Sequence, residues 1–479
     1  MSKENKNLSA SQEADKIQKT DKLASDKMEK IVSLCKRRGF VFPSSEIYGG
    51  FAGVYDFGPM GVELENNIKS HWWKWMVQNR KDIVGLDSSI MMHPKIWEAS
   101  GHTKGFSDPL AECKECNTRI RADKVLEEVG VFADEKMSEE EINRIFDKHK
   151  DKIKCVKCGQ QNFSKVRKFN LLVKSNLGDF SADNSNPTYL RGETCQGIYV
   201  NFKAVVDSTH LKLPFGIAQI GKAFRNEISP RQFLFRGREF EQMEMQYFLK
   251  PEQEMAEYEK LKEYRWRATL DLGLRAENLR WTQHKNLVFY AKDAWDIEYN
   301  FPWGFDEMEG VHARGNYDLT QHSAGCGKPQ DYYDQENNIR FIPHIIESSA
   351  GVGRTVLAVI TDAYTEEEAG DEMRVVLKLN KKIAPVKVAI LPLSKKEELT
   401  KPALEIFENF KDKFICQYDE TQSIGKRYRR QDEIGTPFCV TYDFDSLADK
   451  AVTVRDRDTM RQERIKISEL KDYLVEKLE

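Results

Sequence analysis

The sequence predicts an α+β chain of several units. These are a strand-rich middle built on an antiparallel hairpin, an inserted module with paired cysteines, and a smaller C-terminal α/β domain. Three observations carry this. Residues 238–248, "REFEQMEMQYF", alternate with the period of a strand. Two Cys-x2-Cys pairs bracket residues 113–158. After "LNKKIAP" the pattern becomes βαβ, from "APVKVAILPL" onward.

Composition sets the bounds. A chain of 479 residues suffices for two to four domains and a large core. Hydrophobic residues make up 40% and charged residues 32%, as in a soluble globular protein. The net charge of −3 carries no global basic signature, so any nucleic-acid contact must come from local patches. No apolar run is long enough to span a membrane. The polar stretch 1–27 lacks the apolar core of a signal peptide and is expected to be a disordered or loosely helical tail.

The elements follow in order. "MEKIVSLCKRRGF" opens a helix that turns at Gly39. A second helix, from about Val62 to Val77, places Leu64, Ile68, His71, Trp72 and Trp75 at helical spacing, for a core or a subunit interface. "IVGLDSSIMMHP" reads as one strand ending at Pro94. Residues 109–168 read as an insertion. Cys113, Cys116, Cys155 and Cys158 give it two thiolate knuckles suited to a structural tetrahedral zinc in a reducing cytosol, against the alternative of four unrelated thiols. Cys35, Cys195, Cys326, Cys416 and Cys439 are scattered and read as small buried hydrophobes. "RGETCQGIYVNF" reads as Arg191 and Glu193 leading into an apolar strand.

The hairpin is the most informative stretch. "IAQIGKAFRNEI" forms its first strand, "SPRQFLFRG" a long loop with Arg231, and "REFEQMEMQYF" the return. Glu239, Glu241, Met243, Met245 and Tyr247 share one face. Phe240, Gln242, Glu244, Gln246 and Phe248 share the other with Arg238. That second face suits a functional surface or a solvated amphipathic hairpin. "DEMEGVHARGNYDL" and "HIIESSAGVGRTVLAVI" repeat the theme of acids and arginines beside small residues. In the latter, Ser348 to Gly353 lead into a helix carrying Arg354, so backbone and charge could approach a ligand.

"FRNE…FRGREF" resembles motif 2 of the class II aminoacyl-tRNA synthetases, "SAGVGRTVLAVI" their motif 3, and the Trp-rich helix with the strand ending at Pro94 their motif 1. "RGETCQGIYVNF", "GREFEQMEMQYF" and the C-terminal "IGKRYRRQDEIGTPF" resemble the homodimeric type of glycyl-tRNA synthetase over nearly the whole chain after residue 28. Cys195 stands where that family usually has Ala, and Ser348 where Pro is common.

The resemblance implies a six- or seven-stranded antiparallel sheet flanked by helices, split into residues 28–108 and 169–383, and an anticodon-binding domain over 384–479. It implies a cytoplasmic homodimer that forms glycyl-adenylate from glycine and ATP with Mg²⁺, then passes glycine to the 3′ end of tRNA(Gly). Arg225 and Arg354 would be catalytic. Arg225 would bridge the ATP α-phosphate and the glycine carboxylate, and Glu227 would accept from the adenine. Phe240 and Arg354 would sandwich the ring. Asn226, Phe235, Arg236, Gly237, Arg238, Glu239, Glu307, Met308, Gly351, Val352 and Gly353 complete the ATP set. Glycine's ammonium would meet Glu193 and Glu347. Arg121, Phe240, Glu241, Gln242, Met243, Glu244, Ser348, Ser349, Ala350 and Gly351 complete the glycine set, and Arg314 offers a further carboxylate partner. Lys426, Arg427, Arg429 and Arg430 would serve the anticodon domain. Two rivals remain open: a synthetase for another small amino acid, and an RNA-binding descendant without activity.

Overall fold

In the computed structural model the described residues are 25–478, apart from 134–136, 177–186, 229, 231 and 285–290. Arg231, and the expected tail as far as residue 24, lie outside them. Seven strands form the central sheet: β1 (Ile83–Gly85), β2 (Phe215–Phe224), β3 (Glu239–Leu249), β4 (Leu279–Gln283), β5 (Asp293–Phe301), β6 (Gly304–Gly315) and β7 (His344–Gly351). Their spatial order is β4-β5-β6-β7-β3-β2-β1. All neighbours are antiparallel except β1, which joins β2 in parallel.

Strand alternation builds the two faces. Met243, Met245 and Tyr247 of β3 turn into the main core with Ile297, Val311, Ala313 and Ile346. Two helices close that side. α1 (Pro59–Trp73) contributes Leu64, Ile68 and Trp72, and α3 (Val352–Ala363) contributes Val356, Leu357 and Ile360. Each such side chain, fully buried, stabilises the fold by about 1.5–3 kcal/mol. The opposite face carries the polar residues and is packed in part by α2 (Cys195–Thr209), whose Cys195, Ile198, Tyr199 and Phe202 are buried.

α2 corrects an expectation. Residues 195–202 form a helix, not a strand, because their apolar positions recur at i, i+3, i+4 and i+7. Gly197 lets this helix approach the chain beside β1: a Cβ there would lie 1.9 Å from Ser88 Oγ. A second correction concerns "IVGLDSSIMMHP". It is two short strands in different sheets, Ile83–Gly85 and Met91–Met92, and Pro94 is the first residue of the helix Pro94–Ala99 rather than a strand end. The Trp-rich helix starts at its own proline, Pro59. It ends at Trp73 in a π turn over Lys74–Gln78, and His71 and Trp75 both bond Asp271 at 2.9 and 3.0 Å.

The cysteine-bearing insertion forms a three-stranded sheet from Arg119–Arg121, Ser107–Glu112 and Arg167–Asn170. Ile120, Val125, Leu126, Ile142 and Phe146 give it a core of its own. The C-terminal sheet runs Cys416–Tyr418, Val388–Pro392, Phe438–Tyr442, Ala451–Asp456, Gln462–Lys466, with its first three strands parallel.

The segment "LNKKIAP" is no loose tether. Ile383 and Ala384 are buried in the main core, and their carbonyls accept from Asn67 Nδ2. Arg374 of the strand Glu372–Leu377 has a fully buried side chain that meets Asp432 of the helix Ile424–Ile434 at 3.1 Å. Removing one side of such a buried pair is strongly destabilising. Arg427 also departs from its expected role. It is 1% exposed and donates to the carbonyls of Pro392 and Leu393, so it supports the domain from within. Lys426 on the same helix is exposed.

Candidate active site

The site occupies the polar face where β2, β3, β6 and β7 meet. One end is a cleft lined by Arg225, Glu227, Phe235, Arg236, Gly237, Phe240, Gln242, Glu307, Ser349, Gly351, Gly353 and Arg354. Arg225 leaves the end of β2, and its Nε donates to the carbonyl of Gly192 at 3.1 Å. Its guanidinium carbon lies 5.2 Å from both the Phe106 and Phe240 ring centres. Rings and a carbonyl hold this arginine in place, leaving its charge free to meet an anion. Arg354 stacks on Phe235 at 4.4 Å and pairs with Glu307 at 3.0 Å.

Beyond Gln242 the same face holds a pocket-like cluster of buried acids. Oxygens of Glu244 and Glu347 and the thiol of Cys195 all lie within 4.8 Å of one another. Glu244 is 2% exposed and Glu347 4%. Thr194 Oγ1 donates to Glu244, and Gln246 Nε2 bridges Glu347 at 2.7 Å and Glu244 at 3.2 Å. Glu193 meets His102 at 3.1 Å and accepts from Gln196 at 2.9 Å.

These acids differ in charge. Burial, then the neighbouring Glu347 and Glu193, push Glu244 up to about 8, so it is protonated at neutral pH. Burial pushes Glu347 up as well, but Arg314 at 3.1 Å and His312 at 2.8 Å outweigh it and hold it down at about 2. Glu193 is likewise held well below the usual range, since His102 and Arg314 outweigh its burial. The pocket thus combines two anions with a neutral acid and suits a small cation, while the cleft beside it suits anions.

Comparison with known proteins fits this pairing of sites. Residues 179–364 match the family described as tRNA synthetase class II core domain (G, H, P, S and T), and 387–477 match the anticodon binding domain. A glycine–tRNA ligase of Clostridium acetobutylicum is 53% identical over 461 residues, covering 94% of this chain and 98% of that protein. One from Treponema denticola is 52% identical over 451 residues, covering 92% and 95%. The chain belongs to the glycine–tRNA ligase family. Among solved structures, a prolyl-tRNA synthetase from Cryptosporidium parvum shares the fold with TM-score 0.63 over 94% of this chain and 76% of that one, at 15% identity.

On this ligase fold the expected site residues divide by strand alternation. Phe240, Gln242 and Glu244 of β3 face the site, as do Glu347, Ser349 and Gly351 of β7. The residues between them turn away. Met243, Ala350 and Val352 enter the core, Glu241 pairs with Lys69 at 3.0 Å, and Ser348 donates to Glu309 at 2.7 Å. A run of consecutive residues along a strand cannot share one face.

Met308 is also corrected. A bulge in the β5–β6 pairing sets Ile297 opposite Glu309 but Glu298 opposite Glu307, leaving Met308 as the extra residue. Its side chain is in the core and Glu307 reaches the cleft. Glu239 pairs with Lys222 at the sheet's edge, and the Asn226 backbone N–H donates to the Leu171 carbonyl at 2.7 Å. Arg238 ties the hairpin to the Glu227 and Ala52 carbonyls. Arg121 sits on the insertion, against Asp108 at 2.9 Å and Asp123 at 2.5 Å. Sequence reasoning missed His102, Thr194, Gln246 and His312. Gln246 had a signal, its place on the polar face of β3; His102 and Thr194 had none.

The four cysteines of the ligase insertion converge. Cys113 and Cys158 sulfurs lie 3.6 Å apart, Cys116 and Cys155 3.5 Å, and all four lie within 4.8 Å of one another. The two knuckles fold alike. The N–H of Cys113 donates to the carbonyl of Thr118 and that of Cys155 to the carbonyl of Gln160, each at 2.8 Å, and Asn117 and Gly159 take the left-handed conformation such turns require. Zinc with Zn–S of about 2.3 Å needs tetrahedral sulfurs about 3.8 Å apart, which these residues fit. Of the remaining cysteines, Cys326 is exposed, contrary to the expected burial.

Proposed function

We propose that this chain charges tRNA with glycine in two steps at the described face, as a cytoplasmic homodimer. The observation that carries the reading is the junction of a small acid pocket with an arginine-bearing cleft. Glycine's ammonium enters beside Glu193, Glu244 and Glu347, and glycine brings no side chain that these buried acids must make room for. Its carboxylate then points toward Arg225. ATP lies along the cleft, with Phe240 and Arg354 on its adenine and Glu227 accepting from its amino group. A glycine carboxylate oxygen attacks the α-phosphorus and pyrophosphate leaves. The tRNA 3′-hydroxyl next attacks the adenylate carbonyl and releases AMP.

The protein contributes positioning and fixed charge. Arg225 offsets the repulsion of two anions brought together and needs no reorganisation as charge develops. Magnesium, when bound, would neutralise phosphate charge, and Glu307, which lines the cleft beside Arg354, would be a carboxylate to hold it. Amino-acid-dependent ATP–pyrophosphate exchange, run with all twenty amino acids, tests the reading. Exchange with glycine alone is expected; exchange with serine or alanine at a comparable rate would overturn it.

Zinc is the metal we assign to Cys113, Cys116, Cys155 and Cys158. Purified protein should hold about one zinc per chain, and Cys113→Ser should lose it. The insertion should loosen while the seven-stranded sheet, with its separate core, persists. Native protein with four alkylatable thiols at these positions and no metal would refute the site.

Glycine binding should release a proton. In the empty site Glu244 is protonated below about pH 8. An ammonium beside it favours the carboxylate, so its bound-state pKa is the lower of the two. Affinity for glycine should therefore rise with pH up to about 8 and fall up to tenfold per unit as the pH drops below that value. Calorimetry in buffers of different ionisation enthalpy reads the proton directly. Its absence at pH 7, or its persistence in Glu244→Gln, would contradict this assignment.

A further inference from the structure

Behind Glu347 the sheet face holds a second row of titratable groups that the two-step chemistry leaves unused. His312 of β6 stands opposite Glu347 of β7, and Gly310 stands opposite both Asp296 of β5 and Ser349. The ring of His312 folds back over Gly310. A Cβ at Gly310 would lie 2.8 Å from His312 Nε2 and 3.4 Å from Asp296 Oδ1, so only glycine leaves space for this path. His312 Nδ1 meets Glu347 Oε1 at 2.8 Å. At its other end, Nε2 faces Asp296 Oδ1 at 3.8 Å. Asp296 Oδ2 is held by His284 Nε2 at 2.7 Å.

Both atoms across the 3.8 Å gap, His312 Nε2 and Asp296 Oδ1, are buried and lack a hydrogen-bond partner among the described residues. A neutral His312 that donates from Nδ1 to Glu347 would set two acceptors against each other there. A proton on Nε2 removes the conflict and leaves an imidazolium between two carboxylates.

We propose that His312 is a positioning residue for glycine, its imidazolium spanning Asp296 and Glu347 and fixing the carboxylate that receives the substrate's ammonium. The inference rests on the glycine reading above. Arg314 and Gln246 also bond Glu347, at Oε2, whereas His312 meets Oε1. His312 supplies the donor to the second oxygen, so the carboxylate is held at both oxygens as the ammonium enters. The charges facing the ring are Asp296 and Glu347 on the adjoining strands, Arg314 on its own strand, and His284 at 5.6 Å between ring centres. Against the downward push of burial and of Arg314, the two carboxylates lift His312 to about 9, which keeps it charged at neutral pH.

The test uses the full chain and glycine-dependent exchange. Exchange by the wild type tests the glycine reading itself; the variants test His312. His312→Ala should raise the glycine KM about tenfold and leave the ATP KM unchanged. His312→Asn, whose amide can stand near Nδ1, should recover part of the loss. Gly310→Ala, which crowds the ring without removing it, should act like His312→Ala. Carbon-13 NMR of histidine-labelled protein should show one imidazole protonated to about pH 9, absent in His312→Ala. That midpoint should move down toward the ordinary value of about 6.5 in Asp296→Asn. A glycine KM within twofold of wild type in His312→Ala, or equal rises in the glycine and ATP KM, would overturn the assignment. So would a metal ion lost on Asp296→Asn, which would place a cation rather than a proton in the gap.

Discussion

Arg225→Ala should lower glycine-dependent pyrophosphate exchange by about 10³-fold and leave the fold intact. Two facts separate the expected losses. Among the described residues Arg225 makes no ion pair; its side chain meets the Gly192 carbonyl and two aromatic rings. Removing it therefore strands no buried carboxylate, and the structural cost is limited to one hydrogen bond and the ring contacts, about 1–2 kcal/mol. The catalytic cost is larger. The charge stands where the cleft meets the acid pocket, so two anions would approach there with no counter-charge. Single neutral donors at comparable positions are worth about 10²–10³ in rate, and a full charge in a water-poor site is worth more. Arg225→Lys keeps the charge but loses the planar fork, and should fall between wild type and Ala. Thermal unfolding of Arg225→Ala within a few degrees of wild type, together with exchange reduced less than tenfold, would remove Arg225 from the mechanism.

The legible part of the site was the part written in alternation. The polar face of β3 could be read directly because Phe240, Gln242, Glu244 and Gln246 recur with period two, and the structure turns them to one side. The cysteine pairs were equally plain, since a two-residue spacer has few uses besides a metal knuckle. Reading failed where one irregular residue changes the phase. The bulge at Met308 is invisible in the sequence, yet it decides which of Met308 and Glu307 reaches the cleft. α2 was misread because its first residues are apolar in either period, and only the longer register from Cys195 to Phe202 separates helix from strand. Arg427 failed for another reason. A basic run looks solvated in one dimension, and nothing local shows that the Arg427 guanidinium turns inward onto the Pro392 and Leu393 carbonyls. His102 and His312 come from segments far from the acids they hold, and only the folded sheet brings them together.

The second large effect should come from Glu347→Gln, which we expect to reduce kcat/KM for glycine by about 10²–10³-fold, more than Glu193→Gln, for which about tenfold is expected. The two acids differ in what their loss leaves behind. Glu193 is partly exposed, with a side chain at 21%, and it is held by His102 and Gln196. Glu347 is buried and stands among Arg314, His312 and Gln246. A neutral amide there removes the anion beneath the ammonium and leaves two cations facing the incoming cation. Arg314 keeps Asp318 at 2.9 Å, so it stays in place and its charge now repels the substrate. Glu244 offsets only part of the loss: without the charge of Glu347 it ionises more readily, but its burial and Glu193 still push its pKa up. Selectivity should survive all this. A pocket for glycine gains nothing from a side chain and excludes alanine by clash, and Gln matches Glu in size, so the wall does not move. Exchange by Glu347→Gln is therefore expected to be slow with glycine and undetectable with alanine. Alanine activation in that variant would show that charge, not shape, sets the specificity, and wild-type rates with glycine would show that the ammonium is held elsewhere.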